Sequence, residues 1–499
     1  MKLILIVLAV LLLAAGTGPA TPASSAGFGS PDIEAIDSYV EREMRISRIP
    51  GLALGIIKDG NIVYLQGYGQ ADRERTVTPQ TPFTIGSLSK SFTAVAAMQL
   101  VEEGLLDLDS PVNSYLRWFT MQGEYDAAEI TVRHLLVQTS GIPTMAGVQA
   151  ITEKDPGSLE QEVKALGEER LAHPPGEAFL YSNANYQILG LIIDTLTENG
   201  YSGHIRNEIF EPLQMNRSFL SVEEGNAAGM AAGHIRKLGF SVPSDVMYLE
   251  NSLAAGFIIS SAEDMCRYLL MHMGDGSYGD TVLLSEKSAA ELHRPGSVPD
   301  GPGDYAMGWL VQNSGDDTII LHDGSTQGFN AAMAFSPAEQ WGVVVLTNAS
   351  GMIELPAGPI SLGIAEFLRG NEPGGNSRLP VLIYLVVLFF IPVMIVLAAI
   401  SAVRLPARWG RKIKETRPSG FFAVAGRVVF PVLMELSVPF LVFILIPGGA
   451  GFPVWNLLAL FHPDLVYGLF ILAALLLVKA LLRIYLYLKL NFLTEPPAG

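Results

Sequence analysis

Apolar positions along this chain follow three rhythms. In residues 31–48, Ile33, Ile36, Val40 and Met44 recur three or four apart, the period of a helix with one buried face. Phe92, Val95, Ala96, Gln99 and Leu100 repeat it, and Gly104 supplies a stop. Residues 131–137 predict a short helix, and 186–197 and 253–273 predict helices apolar on most faces, hence buried. A second, strand-like rhythm runs through 51–58 and 62–69, on either side of the turn signal Asp59-Gly60-Asn61. It returns in 309–311, 318–321, 330–335 and 341–346, with turns between. Residues 105–112 read as a loop entering a short helix, and 146–176 carry little strand pattern. Strands at both ends of a helical middle predict an α/β body of the α+β type: an antiparallel sheet flanked by helices.

The third rhythm is continuous. Residues 379–403, 421–446 and 465–490 are long apolar runs, each able to cross a bilayer core of roughly 30 Å. The segment 404–417 holds six basic residues and only Glu415, whereas 447–464 has no Lys or Arg. Basic loops stay in the cytoplasm, so the first loop and the C-terminus are expected inside, and the second loop and the body outside. Among the ionisable residues within the runs, two are awkward. Glu435 and Lys479 fall at similar depth on antiparallel neighbours and are expected to pair; otherwise Lys479 snorkels to the headgroups and Glu435 is protonated. At the other end, residues 1–15 are apolar after Lys2, and Ser24-Ser25-Ala26 are small. This predicts a signal peptide cleaved near Ala26, with an uncleaved anchor as the alternative. The expected organisation is a signal peptide (1–26), a catalytic-type body (27–370), a linker (371–378) and a three-helix membrane part (379–499). The setting is a multi-pass protein of a bacterial cell membrane.

Charge follows this division. Residues 27–378 carry 21 Lys and Arg against 45 Asp and Glu, and the remainder carries 11 against 4. An acidic body argues against nucleic-acid partners. The lone Cys266 rules out an intramolecular disulfide and sits in an apolar pattern, as a buried small residue would.

The chemistry concentrates at Gly86-Ser87-Leu88-Ser89-Lys90, between a short apolar run and the helix at 91–104. On a helix, Ser87 and Lys90 share a face. Serine is a poor nucleophile until a neighbour takes its proton, and a lysine in a dry, electropositive site can be that neighbour. The helix start adds N–H groups where an oxyanion would form. Taken alone, S-x-x-K is also what a capping serine and a solvated lysine look like; later partners decide it. Tyr181-Ser182-Asn183 offers a tyrosine whose pKa a neighbouring cation could lower, and an amide to hold a carbonyl or orient the lysine. His322-Asp323-Gly324-Ser325 follows a strand: Gly324 would let a substrate backbone lie on the strand edge, and the Ser325 N–H could pair with that of Ser87. No histidine is followed by glutamate, so H-E-x-x-H is absent, and this chemistry needs neither metal nor organic cofactor.

These three elements, in this order, resemble the serine β-lactamase and penicillin-recognising hydrolase family. The likeness is to its class C branch, with the esterases and D-amino-acid peptidases. Ser87-Leu88-Ser89-Lys90 stands at S-x-x-K, Tyr181-Ser182-Asn183 at Y-x-N, and His322-Asp323-Gly324 in the K-T-G place. Residues 131–142, 175–190, 255–269 and Tyr305-Ala306-Met307-Gly308-Trp309 add to the likeness. The resemblance implies a five-stranded antiparallel sheet flanked by helices, a helical lobe, and a site between them. It implies that Ser87, Lys90 and Tyr181 are catalytic and that Asn183, His322, Gly324 and Ser325 bind substrate. His322 departs from the lysine of lactamases, which removes a fixed cation for a substrate carboxylate and makes efficient β-lactam hydrolysis doubtful. The three C-terminal helices narrow the likeness to membrane-bound peptidases that remove an N-acyl-D-amino-acid prodrug group. The expected partners are a small or peptide-like acyl substrate and a lipid bilayer, with room for a homo-oligomer through the membrane part. The rival expectations are a β-lactamase or cell-wall esterase/DD-peptidase, and a sensor that is acylated and stays so.

Overall fold

The computed structural model describes residues 32–146, 157–245, 247–296, 304–314, 317–351, 356–373, 378–415, 421–445 and 454–492. The expected signal peptide, linker residues 374–377, loop residues 416–417 and 447–453, Ile446 at the end of the second run, and the tail from 493 lie outside them. The described residues form two compact units. One lies within Met1–Ile235 and Ser241–Val381, the other within Arg236–Phe240 and Leu382–Gly499.

The first unit is built on one antiparallel sheet. Its elements are α1 (Ile33–Ile46), β1 (Gly51–Lys58), β2 (Asn61–Gly69), α2 (Ser89–Glu102), α3 (Val132–Leu136) and α4 (Asn183–Leu196). There follow a hairpin of β3 (His234–Lys237) and β4 (Phe240–Pro243), whose residues Arg236–Phe240 count with the second unit, then α5 (Ala262–Met273). The C-terminal strands are β5 (Asp304–Tyr305), β6 (Leu310–Ser314), β7 (Asp317–Thr326), β8 (Phe329–Ser336) and β9 (Trp341–Thr347), closed by α6 (Ala357–Leu368). The sheet order is β2-β1-β9-β8-β7-β6-β5, all neighbours antiparallel. Five of these strands, β1, β2, β7, β8 and β9, make the expected frame; short β6 and β5 extend it.

Alternation along the strands divides the core. On β9, Val343 and Val345 join a cluster with Ile36 and Val40 of α1 and Ile360 and Ile364 of α6. Val344 and Leu346 face the other way, into the larger cluster that holds Phe92, Val95 and Ile188. Fully burying a Val or Leu side chain contributes roughly 1.5–3 kcal/mol, so a one-residue slip would reverse both faces at once.

One helix expectation fails in a useful way. Residues 253–273 do not form one helix: a wide turn at Leu253–Phe257 ends in extended backbone, and α5 starts afresh with Ser261 as its cap, accepting from the Asp264 N–H at 3.2 Å. The apolar pattern is shared by both pieces, so periodicity alone could not see the break. The break frees the Ala255 carbonyl from a helical ladder.

The second unit holds three helices long and apolar enough to cross a membrane: Val381–Arg408, Ala425–Leu445 and Pro463–Lys489. The segment expected as a loop from Arg404 is helical as far as Glu415, in α7 (Arg378–Glu415). The intervening 447–464 contains a short helix, Val454–Phe461. Within α8 (Phe430–Phe440) and α9 (Pro463–Phe492), Lys479 meets Glu435 at 3.1 Å, as the depth argument expects. Arg483, one turn further on, adds a two-pronged contact to the same carboxylate at 2.7 and 3.1 Å.

Candidate active site

Ser87 lies in a tight turn, Gly86–Leu88, that opens directly into α2. The turn is pressed against β7. A Cβ built on Gly86 would fall 2.4 Å from the Ser325 nitrogen, and one on Gly324 would fall 2.0 Å from the Ile85 carbonyl oxygen. Gly86 also has φ +58°. Only glycines at both places allow this approach, which brings the backbone of Ser87 and that of Ser325 together.

One helical turn after Ser87, Lys90 is wholly buried. Its ammonium nitrogen donates to Ser87 Oγ at 3.1 Å, Asn183 Oδ1 at 2.8 Å and the freed Ala255 carbonyl at 2.5 Å. Three donors meet three acceptors. Burial lowers its pKa from 10.5 to about 7, so near neutrality the amine form is well populated.

Tyr181 lies over this group, its ring centre 5.0 Å from Lys90 Nζ, and its hydroxyl is close enough to Ser87 to be influenced by it. The expectation that a cation lowers its pKa is corrected. Burial holds the Tyr181 hydroxyl well above its ordinary value, against a smaller downward pull from Ser87. The reason is that burial disfavours the charged phenolate. Tyr181 is therefore a neutral hydroxyl, able to pass a proton without holding a charge.

Asn183 opens α4, with its side chain committed to Lys90. His322 stands on β7 with its ring 6.4 Å from that of Tyr181. Its Nδ1 lies 2.6 Å from the Asp323 carbonyl, which can only accept, so Nδ1 carries the proton. Nε2 then accepts from the Tyr305 hydroxyl at 3.2 Å. Burial, with Lys90 adding to it, lowers the His322 pKa to about 4. The residue is a neutral acceptor. Strand β6 pairs with β7 only over Asp317–Leu321, so among the described residues the His322–Thr326 end has a free edge on that side. Ser325 Oγ is buried there and has no hydrogen-bond partner among the described residues. Asp323 points to the opposite face, against Gly358 of α6, where burial raises its pKa to about 6.

All seven expected site residues thus converge on one place. Three further residues take part. Ala255 supplies the carbonyl already described. Tyr305 joins Phe179 and Tyr181 in an aromatic wall, with ring centres 5.6 and 6.0 Å away. Gln138, just beyond α3 with φ +61°, is wholly buried. Its Oε1 accepts from the Ser182 N–H at 2.9 Å and from Asn185 Nδ2 at 2.5 Å, which holds the Tyr181–Asn183 turn in place. An uncharged polar residue inside Leu135-Leu136-Val137-Gln138-Thr139 was the available signal for it.

Comparison with known proteins gives the same outline. The family profile described as Beta-lactamase matches residues 36–358. Protein flp of Staphylococcus aureus (strain MW2) is 30% identical over 318 residues, 63% of this chain and 62% of that protein. Unguisins hydrolase ungD' of Aspergillus campestris is 28% identical over 340 residues, 64% of this chain and 62% of its own length. The chain thus spans somewhat under two thirds of these curated relatives. The octameric penicillin-binding protein homologue from Pyrococcus abyssi superposes with a TM-score of 0.61 at 31% identity, covering 68% of this chain and 78% of that one.

Proposed function

Because this chain belongs to the beta-lactamase family, we propose that it is a membrane-anchored, extracytoplasmic serine hydrolase that cleaves an amide or ester through an acyl-enzyme on Ser87. The observation that carries the reading is the Lys90 amine, dry, with a pKa of about 7 and 3.1 Å from Ser87 Oγ. Ser87 Oγ attacks the carbonyl carbon as its proton passes to Lys90. The N–H groups of Ser87 and Ser325 hold the oxyanion, each such donor contributing about 10²–10³ in rate. When the tetrahedral intermediate collapses, Lys90 returns the proton through the neutral Tyr181 hydroxyl to the departing amine or alkoxide. Water then attacks the acyl-Ser87 ester by the reverse relay.

The substrate class follows from charge. The edge of β7 carries neutral His322 where a carboxylate would need a cation, and Phe179, Tyr181 and Tyr305 form an aromatic wall beside it. These features favour a substrate that is uncharged on that side, such as an N-acyl or D-amino-acid amide whose chain continues beyond the scissile bond. The three apolar helices anchor the enzyme, and the basic segment 404–417 sets their orientation with the body outside.

Intact-mass spectrometry of the full chain against D-aminoacyl amides, short-chain esters and β-lactams tests this. The expected result is a transient adduct with the first class, absent in Ser87→Ala. A β-lactam adduct that never decays would instead identify a sensor. Absence of any adduct together with unchanged turnover in Ser87→Ala would overturn the nucleophile.

A further inference from the structure

The hairpin of β3 and β4 turns through Leu238 and Gly239, with φ of 51° and 80°. A two-residue turn of this shape favours Asn-Gly or Asp-Gly, and a bulky side chain at its first position is strained. Here that position holds leucine, and Leu238 and Phe240 are 66% and 65% exposed. Backbone preference and the hydrophobic effect both oppose this choice for a hairpin tip in water. A tip immersed in something other than water removes the second objection.

Arg236–Phe240 is part of the same compact unit as the three apolar helices. Within it, the Leu238 N–H donates to the Asp464 carboxylate at 2.7 Å and the Gly239 N–H to the Tyr384 hydroxyl at 3.1 Å. Tyr384 in turn donates to the same Asp464 oxygen at 2.7 Å. Tyr384 stands near the start of Val381–Arg408, and Asp464 near the start of Pro463–Lys489. The tip is therefore clamped at one end of two of these helices, where Leu382 and Tyr467 are also largely exposed. The clamp occupies the turn's two amides. Such bonds are needed where water is scarce, because an unpaired N–H there is costly.

Resting on the reading of these helices as membrane spans, we propose that the Leu238–Phe240 tip is an interfacial anchor. Leu238 and Phe240 insert at the boundary between headgroups and acyl chains of a phospholipid bilayer, continuing the apolar surface of the spans. Exposed Lys237 beside them suits the phosphate layer.

The test uses the full chain in phospholipid nanodiscs, with Cys266 buried and so unreactive. Single cysteines replace Leu238, Phe240, Phe389 or Asn61, each carrying an environment-sensitive fluorophore. Phe389 reports the first span, and Asn61, at the β1–β2 turn, reports water. The expected result is that probes at 238 and 240 are quenched by lipids spin-labelled near the headgroup and protected from iodide, whereas 61 is the reverse. Iodide quenching at 238 and 240 equal to that at 61, with 389 still lipid-quenched, overturns the anchor alone. Iodide quenching at 389 overturns the spans, and the anchor with them. Leu238→Asn suits the turn and folds for that reason; a tryptophan at 240 in that background should lose most of its lipid quenching, and unchanged quenching would count against the proposal.

Discussion

The Tyr305 hydroxyl stands 3.2 Å from Nε2 of His322 and donates to it, because Nδ1 of the same ring is committed to the Asp323 carbonyl. That bond fixes the tautomer and leaves no positive charge at the strand edge. Tyr305→Phe removes one buried hydrogen bond, so kcat/KM should fall about tenfold, the equivalent of roughly 1.4 kcal/mol. His322→Lys should convert the edge into a carboxylate site. β-Lactam acylation, read by intact mass, should then rise relative to the uncharged substrate; no change in that ratio would detach charge at 322 from selectivity.

With a Lys90 pKa of about 7, the amine is mostly protonated below pH 6 and mostly free above pH 8. Acylation rates should therefore rise with pH through a single step near 7 and then level off, in stopped-flow measurements with an ester. A step near pH 10 would mean that Lys90 is not the base. Stability carries a sign too. The folded pKa is below the unfolded value, so the unfolded chain binds more protons between about pH 7 and 10.4, and wild type should gain on Lys90→Met across that window.

Lys90→Ala and Tyr181→Phe should each cost several decades of kcat, since each removes a member of one proton path. The double variant should cost little more than the worse single one, because residues acting as a unit are not additive. Losses that multiply would separate the two roles. For the nucleophile itself, fluorophosphonate labelling should vanish in Ser87→Ala. It should largely survive in Ser89→Ala, whose hydroxyl bonds instead to the Gly86 carbonyl at 2.8 Å.

Gln138→Leu strips the acceptor from the Ser182 and Asn185 donors and should lower kcat about 30-fold to 150-fold, as two buried bonds of about 1–1.5 kcal/mol each would. Gln138→Glu retains the acceptor and should recover most of the rate. Equal losses in the two variants, at unchanged melting temperature, would show that the bonds do not set the Tyr181 position.

In the unit of three apolar helices, one carboxylate meets two cations. Removing Glu435 should cost about 3–5 kcal/mol, the scale for breaking a buried pair. Arg483→Met should cost more than Lys479→Met, because Arg483 makes the two-pronged contact. A variant with all three replaced by apolar residues should regain much of the loss in thermal unfolding in detergent. Strictly additive losses would show that the three do not act together.

The parts of the site legible in the sequence were those fixed by local spacing: Ser87 to Lys90 across one helical turn, Tyr181 to Asn183 at a helix start, and His322 to Ser325 along one strand. Gln138, Ala255 and Tyr305 were not, because their roles come from tertiary placement. Ala255 depends on a helix break that the apolar pattern of 253–273 conceals. The tyrosine's pKa was misjudged for a related reason: burial acts on Lys90 and Tyr181 together, and sequence supplies neighbours without depth. Glu435 and Lys479 were legible because, in antiparallel apolar helices, residue count sets position along the axis. Arg483, at the next turn, needed the side-chain geometry.

The pairing of β1 with β9 also bears on how the protein is made. Leu52 lies opposite Thr347 and Lys58 opposite Trp341, so a strand synthesised early waits for one nearly at the end of its unit. Contacts of such long range make folding slow, and until they form β1 exposes an apolar edge to the growing chain. The nucleophile turn is in the same position, since the β7 backbone that presses on Gly86 arrives only with Gly324 and Ser325. A nascent chain halted before residue 341 would therefore hold Ser87 and Lys90 but no assembled site. On the proposed reading, the chain is inert during its own synthesis, and a nonsense mutation upstream of β9 should leave a substrate for proteolysis, with no partial activity.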